Sequence, residues 1–336
     1  MDIRLLDDAD LADDNVLHER WELNRRAELV GREGAPFWGF EEFCGAMRSR
    51  DSGERRQLFG AHDGGRLVAT AALWSPLLDN TDKCGIDVDV DPPAQRRGVG
   101  RTLVAEVEGV AAADDRRIIL GGAKVPVGGQ ETHGSVLFAA ACGYEVANVD
   151  VVRHLDLPVD DATIQGWVDE AAPAHDGYLI ETLVDHVPED LRTSLGGLMG
   201  QLIVDAPTGT VDYEEESVTP QRLEERQEMI RAMGRSLFET VALAADREVV
   251  AHSTLVVPLE GSTDVYQWGT FVGRGHRGHR LGLATKAANL RAVQQAHPGL
   301  RRVTTENAET NEFMVSINER MGFVPVELNI EFVKRV

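Results

Sequence analysis

The chain has 336 residues and a formal net charge of −22. This length is roughly twice that of a typical domain, so we expect two domains. The strong negative charge argues against nonspecific binding to nucleic acid or to an anionic membrane surface. It is compatible with a cationic substrate such as an amine.

The cysteines and the N-terminus indicate the compartment. Cys44, Cys84 and Cys142 lie far apart and form no Cys-x-x-Cys pair, so we expect reduced thiols and no metal site. The N-terminus lacks the pattern of a signal peptide, and no apolar run reaches about 18 residues. We expect a soluble cytoplasmic protein with no membrane partner. Both a monomer and a homodimer remain open.

The first half of the chain alternates strands and helices. The turn Asp63-Gly64-Gly65 joins two strand-like stretches and predicts a hairpin. The predicted order is strand 2–6, helices 14–30 and 40–48, hairpin strands 58–62 and 66–74, strand 86–90, helix 102–113, strand 118–121, helix 134–141 and strand 146–157.

A basic, glycine-containing stretch, Gln95-Arg96-Arg97-Gly98-Val99-Gly100-Arg101-Thr102-Leu103, lies between strand 86–90 and the following helix. The first N–H groups of a helix have no internal partner and lie at its positive end, and glycine lets the backbone approach an anion closely. The stretch therefore predicts a pyrophosphate site. Its spacing is neither that of a P-loop nor that of a dinucleotide-binding fingerprint.

The second half repeats this order after a linker rich in Asp, Ala and Pro, at 158–176. A second basic turn, Arg277 to Ala284, follows a long strand and precedes a helix. Gly100 precedes Gly143 by 43 residues, and Gly282 precedes Gly322 by 40 residues. We therefore expect two copies of one fold. The predicted elements are strand 178–183, helices 188–200 and 219–234, strands 238–244, 249–257 and 265–272, a helix to about 295 and a strand at 300–305.

The first stretch resembles motif A of the GCN5-related N-acetyltransferases (the GNAT superfamily), because Gln95, Gly98 and Gly100 match its defining positions. The resemblance implies an α/β (mixed α+β sheet) class with two tandem acyl-CoA N-acyltransferase folds, at 1–157 and 177–336. It also implies acetyl-CoA as the cofactor. The residues expected to contact it are Val88, Val90, Gln95, Arg96, Arg97, Gly98, Val99, Gly100, Arg101 and Thr102 in the first copy, and Phe271, Val272, Arg277, Gly278, His279, Arg280, Leu281, Gly282, Asn307 and Asn311 in the second.

The second basic turn departs from the motif, because Arg280 occupies the position of the first glycine. We expect that this position does not require a left-handed residue, since the loop runs into a helix. In the preferred register Arg277 matches the motif's Gln/Arg position. A shifted register, with His279 at that position, is the alternative.

The resemblance also implies an Asn eleven residues before the Gly-aromatic glycine and a Tyr four residues before it, the Tyr acting as general acid. The second copy has Asn311 and Asn318 there, and the first has Thr132 and Ala139. Loss of the Tyr is tolerable, because a thiolate is a good leaving group. The expected catalytic residues are Glu306 and Glu239 as first and second candidates for the base, and Asn318 as a hydrogen-bond donor. His133, His252 and His279 are weaker candidates.

We therefore expect an acetyl-CoA-dependent N-acetyltransferase acting on a small-molecule amine by direct attack in a ternary complex. The second copy is expected to be catalytic and the first to bind cofactor or to be structural. Tandem relatives such as mycothiol synthase are similar in this respect. The alternative is a catalytically degenerate acyl-CoA-binding sensor or scaffold.

Overall fold

A computed structural model describes all residues from 1 to 336 and separates them into two compact units. Unit 1 comprises Met1–Asp150, Thr208–Asp212 and Glu327–Val336, and unit 2 comprises Val151–Pro207 and Tyr213–Val326. Both units are therefore discontinuous in sequence. The domain limits expected from the sequence remain a prediction.

The elements follow the expected alternation along the chain. The helices are α1 (Asp8–Ala12), α2 (Asp14–Glu28), α3 (Phe40–Arg48), α4 (Val99–Ala113), α5 (Gly134–Ala141), α6 (Asp161–Ala171), α7 (Glu189–Gly200), α8 (Leu202–Asp205), α9 (Pro220–Ala232), α10 (Leu281–Ala296) and α11 (Glu312–Met321). The strands are β1 (Asp2–Leu5), β2 (Glu54–Asp63), β3 (Arg66–Pro76), β4 (Lys83–Val90), β5 (Ile118–Pro126), β6 (Glu145–Asp156), β7 (Leu179–Val184), β8 (Arg235–Leu243), β9 (Val249–Pro258), β10 (Asp264–Val272), β11 (Arg302–Ala308) and β12 (Val324–Arg335).

In unit 1 the strand order is β1-β2-β3-β4-β5-β12. All neighbouring pairs are antiparallel except β4 and β5, which are parallel. The helix α4 packs on β3 and β4 over a core that includes Leu73, Ile86 and Leu103. The mixed α/β class expected from the sequence is confirmed.

In unit 2 the order is β6-β11-β10-β9-β8-β7, and again a single pair, β10 and β11, is recorded as parallel. Here α10 occupies the place that α4 has in unit 1, and it buries Leu283, Ala287 and Leu290 against the sheet. The helix α6, within the predicted linker, packs on α10 through Ile164 and Trp167.

Two short helices, α1 and α8, were not expected. The helix α1 has five residues, too few for an apolar period, and it is fixed by Asp7, whose carboxylate caps the N–H groups of Ala9 and Asp10. The helix α8 is only four residues long and begins directly after α7. Both lie below the length at which sequence periodicity is informative.

Candidate functional site

The first loop (residues 95–102) connects β4 to α4. The Gln95 side-chain amide donates to the carbonyl oxygen of Val90 at 3.1 Å, which holds the loop on the end of its strand. Arg96 and Gly98 have left-handed φ values of 61° and 86°. A Cβ on Gly100 would lie 2.9 Å from Cζ of Phe138, so any larger residue here would have to displace the Phe138 ring. The backbone is thereby held close over the start of α4.

The cations of the first loop are free of protein partners. The side chains of Arg96, Arg97 and Arg101 are exposed and make no hydrogen bond or ion pair. No side chain caps α4, so its first N–H groups are available to an anion. Guanidinium groups and helix N–H groups together fit the pyrophosphate of an acyl-CoA.

The second loop comprises residues 274–284, and its stretch 277–284 has the same backbone as the first loop. Arg277 Nε donates to the carbonyl oxygen of Val272 at 3.3 Å, as Gln95 does to Val90 five residues earlier. The left-handed residues are Gly278 and Arg280, two positions apart as in the first loop. This contact favours the register in which Arg277 matches Gln95.

The expectation about Arg280 was wrong, because φ at this residue is 54° and α10 begins at the next one. The position does require a left-handed residue. Arg280 adopts this conformation at a cost of roughly 1–2 kcal/mol for a residue with a Cβ. Each loop therefore has one glycine and one arginine at its two left-handed positions, in opposite order.

Carboxylates of unit 2 already bind the cations of the second loop. Asp205 forms ion pairs with both Arg274 and Arg277, and these guanidinium groups lower the pKa of its carboxyl. Glu170, near the end of α6, forms ion pairs with Arg280 and with Arg320 of α11.

The remaining polar groups of the second loop are also engaged. His279 Nδ1 lies 3.0 Å from the carbonyl oxygen of Ala174, and the Tyr178 hydroxyl lies 2.9 Å from Nδ1 of His276. An incoming phosphate would have to displace these internal partners.

A cleft opens in the sheet of unit 1. The parallel strands β4 and β5 pair over only three residues, the last being Gly85 with Leu120, and then diverge. Between them lies a cavity of about 360 Å³. Side chains on a strand alternate between its faces, so β4 presents Ile86 and Val88 to one side of the cavity and Asp87 and Asp89 to the other.

The apolar side adjoins the first loop. Val104 of α4 and Phe138 of α5 line it, and Phe138 also packs against Gly100. The acidic side adjoins α2, whose Glu28 lines the same cavity. One cavity thus offers an apolar surface next to the anion site and a carboxylate surface on the opposite face of the strand.

The two carboxyl groups take up protons more readily than surface groups. Asp87 is open to the cavity, yet desolvation by the surrounding protein raises the pKa of its carboxyl to about 6, with the charge of Glu28 adding to the effect. Burial and the neighbouring Asp87 raise the pKa of Asp89 well above its ordinary value. Arg20 opposes both shifts from beneath the sheet, where it is buried and bound to carbonyl oxygens of β2 and β3. A carboxyl group with a pKa near neutrality suits proton transfer.

The end of the chain completes this cavity. Residues 327–335 of β12 pair antiparallel with β5, and Asn329 and Phe332 line the cavity. Arg32, which is 3% exposed in its side chain, forms ion pairs with Glu327 of β12 and Glu28 of α2. The rim of the cavity is thus fixed by residues almost 300 positions apart.

In unit 2 the predicted catalytic residues have different environments. Glu306 is exposed on β11. Glu239 is 1% exposed, accepts hydrogen bonds from Thr254 and pairs with Nδ1 of His252 at 3.0 Å. Although burial opposes ionisation, these partners lower the pKa of Glu239, so it is held as a carboxylate. This environment favours a structural role for Glu239.

Asn318 is fully buried in a chain of polar side chains. Lys286 Nζ donates to Oδ1 of Asn318 at 3.0 Å, and Nδ2 of Asn318 donates to Asn307 at 2.9 Å. Arg153 also donates to Asn307, at 3.2 Å, and pairs with Glu309. The loop alignment sets Lys286 at the position of Val104, which lines the cavity of unit 1.

The remaining predicted residues have identifiable positions. Asn311 caps α11 by accepting from the N–H of Met314, and Thr102 bonds back to the carbonyl of Gly98. Phe271 is buried under the guanidinium of Arg277. The sequence prediction did not include Asp87 and Asp89. Their alternation within strand 86–90 was visible, but which side of that strand faces a cavity was not.

Comparisons with known proteins agree with this architecture. The sequence model of the acetyltransferase (GNAT) family matches residues 17–125, which all lie in unit 1. No curated protein matches the sequence significantly. None of the helices is both long and apolar enough to span a membrane.

Several solved structures are similar over nearly the whole chain. A tandem GNAT protein from the clavulanic acid biosynthesis pathway, solved without acetyl-CoA, has a TM-score of 0.77 and 23% identity over 99% of this chain and 98% of its own. A GCN5-related N-acetyltransferase from Sphaerobacter thermophilus has a TM-score of 0.63 and 16% identity, covering 99% and 95%. N-myristoyltransferase from Saccharomyces cerevisiae, solved with myristoyl-CoA and inhibitors, has a TM-score of 0.59 and 12% identity, covering 99% and 80%.

Proposed function

We propose that the chain is a tandem protein of the GNAT superfamily and an acetyl-CoA-dependent N-acetyltransferase acting on a small-molecule amine, supported by the acetyltransferase family match at residues 17–125 and by the fold shared with a tandem GNAT protein. We further propose that the reaction takes place in unit 1. The observation that carries this proposal is the cavity of about 360 Å³ that joins the first loop to two carboxyl groups. The narrower likeness to mycothiol synthase stays a prediction.

In unit 1, residues on one face of β4 would bind the cofactor, and residues on the other face would bind the acceptor. Arg96, Arg97 and Arg101, with the first N–H groups of α4, would hold the phosphates of the cofactor. The bound cofactor supplies an acetyl group activated as a thioester. Val88 and Phe138 form an apolar wall that excludes water from the space beside the loop.

On the other face, the carboxyl groups act on the acceptor. Asp87 and Asp89 attract a protonated amine, and in its ionised form Asp87 accepts the proton that the amine must lose before it can attack. The base candidates expected from the sequence, Glu306 and Glu239, lie in unit 2. The proposal therefore differs from that expectation in assigning the chemistry to unit 1.

The alternative of an acyl-CoA-binding sensor is less well supported, because a sensor has no need of a proton-accepting group beside its ligand. A cytoplasmic location and a monomeric or homodimeric state belong to the proposal. The three cysteines are free, as expected in a reducing compartment.

The test is an activity assay of the whole chain with acetyl-CoA and a panel of primary amines. Turnover is measured by detecting the free thiol that is released and by determining the mass of the product. Asp87→Asn should lower kcat by about 10²–10⁴-fold, because the amide cannot accept a proton. The KM for acetyl-CoA should not change. In the wild type the rate should fall as the pH drops through about 6, since Asp87 must be ionised to act as a base.

Glu306→Gln is the matched control in unit 2 and should leave kcat within about twofold, since Glu306 lies outside the unit 1 cavity. Two results would contradict the proposal. Absence of thiol release with every amine would favour the alternative function, an acyl-CoA-binding sensor. Loss of activity in Glu306→Gln with retention in Asp87→Asn would return the reaction to unit 2.

A further inference from the structure

The wall of the unit 1 cavity that faces the carboxyl groups is polar. Some of its hydrogen-bonding groups have no partner within the protein. Asn329 of β12 lines the cavity, and its side-chain amide makes no hydrogen bond with the protein. It pairs in register with Lys124 of β5. Beside it lies Gly122, where a Cβ would be at the ordinary contact distance of 3.7 Å from Oδ1 of Asn329. The amide oxygen therefore lies next to the bare backbone of β5.

Ser135 of α5 adds a second group of this kind. It lines the cavity, and its hydroxyl makes no hydrogen bond, since only its backbone N–H is engaged, by Nδ1 of His133. Amide and hydroxyl groups both donate and accept, so together they suit an uncharged polar partner such as a hydroxyl.

Charge is distributed unequally between the two walls. Asp87 and Asp89 stand on β4, whereas Asn329 and Ser135 are neutral. The basic residues that also line the cavity, Arg32 and Lys124, both have partners within the protein. The cavity therefore presents an anionic side for an amino group, and on the facing strand Asn329 is an uncharged group that can hydrogen-bond another part of the same molecule.

Building on the proposed function, we propose that the acceptor is a hydroxylated amine, whose amino group lies at Asp87 and Asp89 and whose hydroxyl is hydrogen-bonded by Asn329. A residue of the C-terminal strand then determines the acceptor specificity of unit 1. A bound ligand that covers the half-buried amide of Asn329 without offering it a hydroxyl would leave the amide unpaired, which costs about 1–3 kcal/mol. That cost corresponds to roughly a 10- to 100-fold preference for the hydroxylated acceptor.

The experiment compares matched acceptors of equal size, ethanolamine with propylamine and serinol with pentan-3-amine, at saturating acetyl-CoA. The wild type should favour the hydroxylated member of each pair by about 10- to 100-fold in kcat/KM. Asn329→Leu should reduce this preference to within about threefold by removing the amide at similar volume. The KM for acetyl-CoA should stay unchanged.

Asn329→Ser keeps a hydrogen-bonding group and should recover part of the preference, which separates recognition from a general disturbance of β12. Equal kcat/KM for the two members of each pair would overturn the inference while leaving the proposed function intact. A preference for glycine or β-alanine over ethanolamine would overturn it in favour of a carboxylate-bearing acceptor. Absence of thiol release with every amine would instead refute the proposed function, and with it this inference.

Discussion

The two loops share their backbone but differ in what their cations bind. In the first loop Arg97 and Arg101 face solvent without a partner, whereas in the second loop Arg277 and Arg280 are bound to Asp205 and Glu170. The two copies of a motif can therefore retain the same conformation while only one retains cations without internal partners. Whether a basic loop binds a ligand depends on the carboxylates around it as much as on its own residues.

The residues packed behind the two loops also differ, and this difference too favours a ligand in unit 1. Val104 lines an open cavity in unit 1, and at the equivalent position in unit 2 Lys286 is buried with Asn318 as its hydrogen-bond partner. A buried lysine and its amide partner occupy space that an apolar valine leaves open. Both comparisons favour unit 1 as the half that binds the cofactor.

The largest expected effect is on cofactor affinity. The double variant Arg97→Ala/Arg101→Ala removes two cations that have no protein partner, each worth about 1.5–3 kcal/mol in a charge-assisted hydrogen bond. The Kd for acetyl-CoA should rise at least about 100-fold. Isothermal titration calorimetry with the full-length protein measures it and should give one site per chain.

His279→Ala is the control, because His279 holds the loop position of Arg97 in unit 2. This variant should leave both the Kd for acetyl-CoA and the stoichiometry of one site per chain unchanged, since the His279 ring already contacts the carbonyl oxygen of Ala174. Two sites per chain in the wild type, or a large loss of affinity in His279→Ala, would contradict the comparison between the loops.

A smaller effect is expected on the stability of unit 2. Burial lowers the pKa of Lys286 to about 7 from an ordinary value near 10.5, so the folded state disfavours its charge. The unfolded chain binds this proton up to about pH 10.5, and stability should therefore rise with pH between about 7 and 10.5.

Lys286→Met removes this titration at similar volume. It should flatten the dependence of the free energy of unfolding on pH. At pH 7 it removes a buried cation but leaves Oδ1 of Asn318 without its donor, which costs about 1–3 kcal/mol and offsets the gain. Denaturant unfolding at several pH values measures both. An unchanged slope would show that Lys286 keeps its charge in the folded state.

The smallest effect concerns the two left-handed positions. Arg96→Gly should raise the free energy of unfolding by about 1 kcal/mol, because glycine adopts a positive φ without strain. Gly278→Ala is the converse change at the equivalent position and should lower it by a similar amount. Its Cβ would meet no atom within 4 Å, so only the backbone strain changes.

Thermal and denaturant unfolding of both variants checks this pair. If the two loops have the same backbone requirement, the two variants should change the free energy of unfolding in opposite directions. A change in the same direction for both variants would mean that the φ values of the two loops are not equivalent.

Much of the fold could be predicted from the sequence, because it depends on local sequence patterns. The helix after each loop, the hairpin at Gly64 and Gly65, and the duplication follow from periodicity, turn residues and spacing. The family resemblance rested on Gln95, Gly98 and Gly100, which are adjacent in sequence. These features need no knowledge of distant contacts.

The site was less accessible to sequence reasoning, because it depends on contacts between distant residues. Nothing near Arg277 in the sequence indicates that Asp205 would neutralise it, and nothing near Asp87 indicates a cavity. Glu239 was identified as a candidate base by its type, yet its pairing with His252 depends on the register of β8 and β9. Carboxylate environments are a property of the packed structure.

The position of residues 327–335 on the edge of β5 has a consequence for biosynthesis. While the ribosome is still making unit 2, β5 has an unpaired edge, and the cavity lacks Asn329 and Phe332. Such an open edge is a template for pairing with other chains, and contacts between residues far apart in sequence form slowly. Unit 1 can therefore complete its cavity only after residues 327–335 have been translated, although its residues 1–150 are made before all of unit 2.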